Sequence, residues 1–374
     1  MDSRERVLRA VNFEEPDTTP ITELDVDVSV MERILGRTLN VAHSLQAAVT
    51  VDRSMERAYY DSLYEVYCKV GFDILYAYES LPDGYRLEKL PDGRLMEQMG
   101  RVFSYDEVAK AYTPVGSIFH TVEDVRDFLD ERFPDPHAPG RDYGVKYLAG
   151  INHEDKALGV FIREPFAHVW EALTPFKFVY WMRSEPSIVT RFIEKVTEYN
   201  LGLIELYGEL GCIDLIVMGG DLCDVKGPML PPGEFRRLKV FEAMRRHVDE
   251  AHKHGMKFIK HTDGNIKPIL EDLVETSRVD GVHSLDPSAG MDIGWVKEKF
   301  QDRLILHGNV SVDNLATKSV EEIVEETRNT IRNASPGGGH ILSSSNSWYG
   351  DVKLENCKAM VETGRRYGKY PIRS

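Results

Sequence analysis

The sequence predicts an α/β protein built as a (β/α)8 TIM-type barrel. Two observations carry that prediction: short apolar runs alternate with amphipathic stretches from about residue 157 to the end, and the chain, at 374 residues, is long enough for eight such units plus insertions. A doubly wound parallel sheet is the competing arrangement. The runs are Ala157–Ile162, Leu215–Met218, Lys257–Ile259, Gly281–His283, Leu304–Leu306 and His340–Leu342, with an earlier one at Phe72–Tyr76. Apolar runs this short and continuous suit parallel strands covered on both faces.

The segments between them read as helices. Residues 234–254 place Leu238, Phe241, Met244, Val248 and Ala251 at three-to-four spacing, closed by Gly255. Ser319 and Glu322 form a capping box ahead of a helix over 319–333. Ser184 and Pro186 open a long helix that ends at Gly211. Residues 1–70 are expected to hold a helical extension and the first barrel unit. Pro91-Asp92-Gly93-Arg94 turns a hairpin insertion over 85–105. The three glycines at 337–339 precede a strand and are not a phosphate loop.

Composition narrows the function. There are 46 Lys and Arg against 61 Asp and Glu, a net charge of −15, which argues against binding a phosphate backbone. No run approaches 18 apolar residues, so no membrane helix is expected. The charged start, Met1 to Arg6, lacks the apolar core of an export signal, and a cytoplasmic location is expected. Cys68, Cys212, Cys223 and Cys357 form no CxxC pair and read as reduced thiols. Monomer and homodimer both stay open.

In a barrel, chemistry collects just beyond the C-terminal strand ends. There the sequence places Arg163 and Glu164, then Asp221, Cys223 and Asp224, then Lys260, His261, Asp263 and Asn265. His283 and Asp286, His307 and Asn309, and the run from Ser343 to Trp348 follow. His261 and Asp263 stand at i and i+2, so an extended strand turns both to one side. Asn265 and Asp286 also suit turns and helix caps.

Several of these stretches, taken together, resemble the uroporphyrinogen decarboxylase superfamily. They are Gly219-Gly220-Asp221-Leu222, Gly227-Pro228-Met229-Leu230, His261-Thr262-Asp263-Gly264-Asn265, Leu285-Asp286-Pro287, His307-Gly308-Asn309-Val310 and Pro336–Leu342, with Ser3–Asn12 resembling its first helix. The resemblance implies a single barrel over residues 1–374. True decarboxylases of that group carry an arginine-rich N-terminal segment that clamps a poly-acid. Here Thr19–Asp27 holds acids and no arginine. The other branch transfers methyl groups with a separate corrinoid protein, and its thiol-methylating members bind zinc through His-x-Cys and a later Cys. Here the matching positions are His261-Thr262-Asp263 and the serines at 343–345.

The resemblance therefore implies a corrinoid-dependent methyltransferase acting on a small methylated, chiefly methoxylated, substrate. Its expected centre is His261, with Asp263, Asp221 and Glu164 as proton carriers or co-ligands. His261, Asp221 and Glu164 are the expected ligands of a zinc ion. His283, His307, Asn309, Ser344, Asn346 and Trp348 are expected at the substrate, and Tyr349 and Phe166 as apolar walls. A decarboxylase acting on uroporphyrinogen or a smaller acid, with Arg163 or Lys260 as its cation, is the alternative; a non-catalytic binding relative is a third reading.

Overall fold

Seven parallel strands follow one another in chain order around one curled sheet in the computed structural model, which describes residues 1–41, 52–106 and 111–372. They are β1 (Ile74–Tyr78), β2 (Ala157–Arg163), β3 (Leu215–Gly219), β4 (Lys257–Thr262), β5 (Gly281–Ser284), β6 (Ile305–His307) and β7 (His340–Ile341). Each expected apolar run supplies one of them. The eighth position is taken by an extended segment. The Leu342 N–H donates to the Pro20 carbonyl (2.9 Å) and the Thr22 N–H to the Leu342 carbonyl (3.0 Å). On the other side the Asp73 N–H donates to the Ile21 carbonyl (2.7 Å). Pro20 has no N–H for a ladder, so this stretch carries no strand signal in the sequence.

Alternation divides each strand between two cores. Ile74, Tyr76, Ala157, Leu215, Val217, Ile259, Ile305 and Ile341 fill the lumen, joined from below by Val7 and Val11 of the helix Ser3–Val11. Leu75, Val160, Ile216, Met218, Phe258, Val282 and Leu306 face the surrounding helices. Two large rings fit in the lumen because glycine stands opposite each. A Cβ on Gly159 would lie 2.5 Å from the Tyr76 ring, and one on Gly219 would lie 1.9 Å from the Phe161 ring.

Two expected elements take a different form. The helix expected over 234–254 is two helices, Pro232–Arg237 and Val240–Lys253, because Lys239 adopts a left-handed φ of 57°. The hairpin expected over 85–105 is three strands of a four-stranded antiparallel sheet, Glu88–Lys89, Leu95–Met96, Arg101–Asp106 and Ala111–Ser117, its second arm dividing into two. Pro114 and Gly116 mask the last strand in the sequence. The helices Val320–Ala334, with its Ser319–Glu322 capping box, and Pro186–Gly208 match the reading closely. Within the extension expected over 1–70, residues 42–51 lie outside the described residues. Among the described residues no helix is long and apolar enough to cross a membrane.

Glu23 ties the closing segment to the loop that follows its neighbour β7. It is fully buried and accepts from the Ser344 N–H (2.7 Å) and hydroxyl (2.7 Å). Burial pushes its carboxyl up to about 8, the Ser344 bonds opposing. The folded chain thus keeps a proton that the unfolded chain loses near 4.5. Stability should fall as pH rises between those two values and level off above the upper one, by on the order of a few kcal/mol. Glu23→Gln should flatten that slope in urea denaturation at a series of pH values; an unchanged slope would contradict the assignment.

Candidate active site at the barrel mouth

β4 runs three residues past its last apolar position, Ile259, and this carries His261 to the mouth. Pairing sets Gly219 of β3, His261 of β4, His283 of β5 and His307 of β6 side by side. Gly219 leaves room there for the Phe161 ring, whose centroid is 6.5 Å from that of His261. The His261 ring turns one nitrogen inward, with its Nδ1 2.7 Å from Nδ1 of His283. Its Nε2 points outward, 3.9 Å from Asp263 Oδ1.

The loops after β3 and β4 are locked together, which fixes Asp221 beside Asp263. The Asp263 N–H donates to Asp221 Oδ1 (3.0 Å), the Leu222 N–H to the Thr262 hydroxyl (3.0 Å), and the Asn265 N–H to the Asp224 carbonyl (2.9 Å). Gly264, at φ 82°, permits that approach, since a Cβ there would lie 2.3 Å from the Asp224 carbonyl oxygen. Lys260 braces the same loops from the helix side, donating to the carbonyls of Gly220 (2.6 Å) and His261 (2.9 Å). Burial lowers this ammonium to about 8, with Glu164 and Asp221 pulling the other way.

One donor atom each from Asp221, His261 and Asp263 lie within 4.8 Å of one another. Asn346 Nδ2 holds Asp263 Oδ2 at 2.5 Å, while the buried Oδ1 has no hydrogen-bond partner. Burial raises the Asp263 carboxyl, with His261 opposing. An unpartnered carboxylate oxygen, a second carboxylate and an imidazole nitrogen form a donor set that fits a zinc ion with a fourth position open. Glu164 stands apart from this trio. It is buried, its carboxylate accepts from the Ala167 N–H (2.8 Å), and it caps the helix Pro165–Leu173.

The remaining sequence-derived candidates separate by burial. His283 and His307 are fully buried, and burial lowers both, His307 to about 3. Asn309 is buried and donates to the Leu285 carbonyl (2.7 Å), and Ser344 is bound to Glu23. Trp348 packs on Phe72 at 5.2 Å between centroids, and Phe166 packs on Phe178 and Phe235. These six side chains line no part of the mouth cavity, because each is consumed by the core or by another loop. Tyr349 is partly buried against the core and likewise stays outside that cavity. His261 and Asn346 do line it.

That cavity measures about 390 Å³. The antiparallel insertion roofs it with Gln98, Arg101 and Phe103, and the barrel supplies Leu24, Tyr78, Phe161 and Arg163. Both arginines are tied to carboxylates. Arg101 bonds Glu97 (3.0 Å) and Glu171 (2.8 Å), and Arg163 bonds Glu171, leaving the Arg163 Nε unpartnered. Sequence reasoning misses the roof, since no short-range pattern links residues 97–103 to His261.

The sequence signature of uroporphyrinogen decarboxylase (URO-D) matches residues 96–367. The chain belongs to the uroporphyrinogen decarboxylase family. Among solved structures, a methyltransferase from Methanosarcina mazei superposes with a TM-score of 0.72 at 18% identity, covering 98% of this chain and 99% of that one. A sugar phosphate isomerase/epimerase from Parabacteroides distasonis reaches a TM-score of 0.40 at 10% identity, covering 86% and 92%. No curated protein matches the sequence.

Cys223 is buried beside this site and outside the trio, and burial pushes its thiol up to about 12. The neutral thiol is a poor nucleophile, and Cys223 offers no donor to the Asp221, His261 and Asp263 cluster. Cys223→Ser should leave metal content and turnover largely unchanged, and the wild-type thiol should resist alkylation in the folded protein. Joint loss of metal and activity in the variant would contradict this.

Proposed function

We propose that the mouth transfers a methyl group from a small methoxylated substrate to a corrinoid held by a separate protein. The observation that carries this reading is the convergence of Asp221, His261 and Asp263 beside a cavity with aromatic and apolar walls. The fold shared with a methyltransferase along the full length of both chains supports it. So does the chemistry of the donors. Where the thiol-methylating relatives described above use sulfur, this chain presents carboxylate oxygen, a harder set suited to an oxygen-bearing substrate.

Each group has a task in that reaction. Tyr78, Phe103, Phe161 and Leu24 hold the apolar body of the substrate and exclude water. Asn346 keeps Asp263 aimed at the trio, and the loop contacts through Lys260 keep Asp221 there. Departure of the methyl carbon leaves negative charge on oxygen. A zinc ion held by His261, Asp221 and Asp263 would supply the Lewis acid for that oxygen. A corrinoid seated on the open side of the mouth would accept the methyl group.

Uroporphyrinogen suits the cavity poorly. Asp25, Glu79 and Glu97 line it, and the two arginines already serve Glu97 and Glu171. An octa-anion would meet carboxylates rather than free cations.

The test is demethylation of a panel of methoxylated compounds with reduced cobalamin as acceptor, followed by its absorbance change. Wild type should turn over at least one of them, and His261→Ala should lose about 10²-fold or more. Conversion of uroporphyrinogen at ordinary enzymatic rates, on the order of 1–10³ s⁻¹, would overturn the reading. So would a His261→Ala variant that keeps the wild-type rate.

A further inference from the structure

We propose that Glu79 sets which substrates the mouth accepts, by taking a hydrogen bond on its second carboxylate oxygen from a hydroxyl or ammonium substituent of the methoxylated compound. The methoxy group rests on the function proposed above, while the acceptor itself rests on the geometry of the cavity.

Glu79 directly follows β1 and lines the same cavity as His261. Three donors converge on one of its oxygens, Oε1. Arg141 Nη1 lies 2.6 Å away, Gln98 Nε2 lies 3.0 Å away, and the Tyr199 hydroxyl completes the set. They come from separate parts of the fold: Gln98 from the antiparallel roof, Tyr199 from the helix Pro186–Gly208, and Arg141 from the loop ahead of the helix Tyr143–Ile151. Arg141 and Tyr199 are buried, which holds both in place. The Gln98 amide can stand only one way round. Its Oε1 accepts from Arg141 Nη2 (2.9 Å), and a guanidinium only donates, so Nε2 is the atom turned to Glu79.

The second oxygen, Oε2, takes no hydrogen bond among the described residues, and it is not a sealed atom like Asp263 Oδ1. The side chain is 22% exposed. Glu97, on the same cavity, differs: its Oε1 accepts from the Arg101 N–H and Nε, and its Oε2 from the Met99 N–H. An ion pair that only pinned the roof could use both oxygens, as Arg6 does with Asp17.

Arg141 balances the charge of Glu79, so Oε2 offers the cavity an oriented acceptor. An O–H or N–H group satisfies it. An ether or a carboxylate turns lone pairs toward it and does not. A site built round such an acceptor rejects analogues that cannot donate, because the acceptor gives up water and gains nothing.

Calorimetric binding to the wild-type protein, with no corrinoid present, tests this. The probes are the position isomers of methoxyphenol and of methoxybenzylamine, with anisole and the methoxybenzoates as non-donors. At least one phenol or benzylamine should bind about 10-fold more tightly than anisole or any benzoate. A phenol at the head of the ranking identifies the substituent as a hydroxyl, and a benzylamine identifies it as an ammonium. Wild type that binds a non-donor as tightly as the best donor, or binds no donor at all, would overturn the proposal. Glu79→Gln inverts the site. The three donors keep its amide oxygen in the place of Oε1 and turn its Nε2 to the cavity, so an acceptor becomes a donor. That variant should bind the donor-bearing probes about 10-fold more weakly and anisole as before. A folded variant with the wild-type preference would overturn the proposal; if it does not fold, the wild-type ranking decides. Methyl transfer from the panel without regard to a donor group would sink this inference and leave the proposed function standing. Donor-selective binding with no methyl transfer from any probe would do the reverse.

Discussion

Register across β3, β4, β5 and β6 sets Gly219, His261, His283 and His307 in one row facing the barrel axis. The rest of the mouth is arranged around that row. Gly219 gives up its side chain so that Phe161 can stand beside His261, and Gly159 does the same for Tyr76 deeper in the lumen. A slip of one residue in β4 would turn His261 outward and Lys260 inward, exchanging an imidazole at the mouth for an ammonium. Lys260 is instead buried behind the sheet, where it braces the loop that carries Asp221. One strand therefore supplies both the imidazole at the mouth and the brace of its neighbour.

Electrostatics follows burial. The lumen holds polar groups that are kept neutral: His283 and His307 far below the ordinary imidazole value, and Glu23 well above the ordinary carboxyl value. Charge becomes affordable only where the loops open to the cavity. There Asp221 and Asp263 sit close together, and a cation between them would relieve their repulsion. The boundary between a neutral lumen and a charged mouth runs between His261, whose side chain is 12% exposed, and its fully buried neighbours on β5 and β6.

Much of this was legible in the sequence. Strands buried on both faces leave unmistakable apolar runs, and the polar residues after those runs marked the rim. His261 with Asp263 and Asp221 came from that rule, and the structure brings the three together. Other features were hidden for physical reasons. Strand-end histidines read alike in sequence, and nothing local separates His261, 12% exposed, from its fully buried row-mates His283 and His307. Glu164 carried a readable sign, since Pro165 directly after it marks a helix start and makes Glu164 its cap. Trp348 pairs with Val26 across the ring closure, a contact between distant parts of the chain that no local pattern announces. The cavity roof and the closing segment Pro20–Thr22 are long-range features of the same kind.

The central claim is that Asp221, His261 and Asp263 form one cation site with an open position toward the cavity. Anomalous diffraction at the zinc edge, from crystals of the wild-type protein soaked in zinc, tests it most directly. The account predicts a single strong peak about 2.0–2.1 Å from His261 Nε2, with carboxylate oxygens of Asp221 and Asp263 at about 2.0–2.2 Å. Zinc found only on surface carboxylates, with the trio empty, would contradict it.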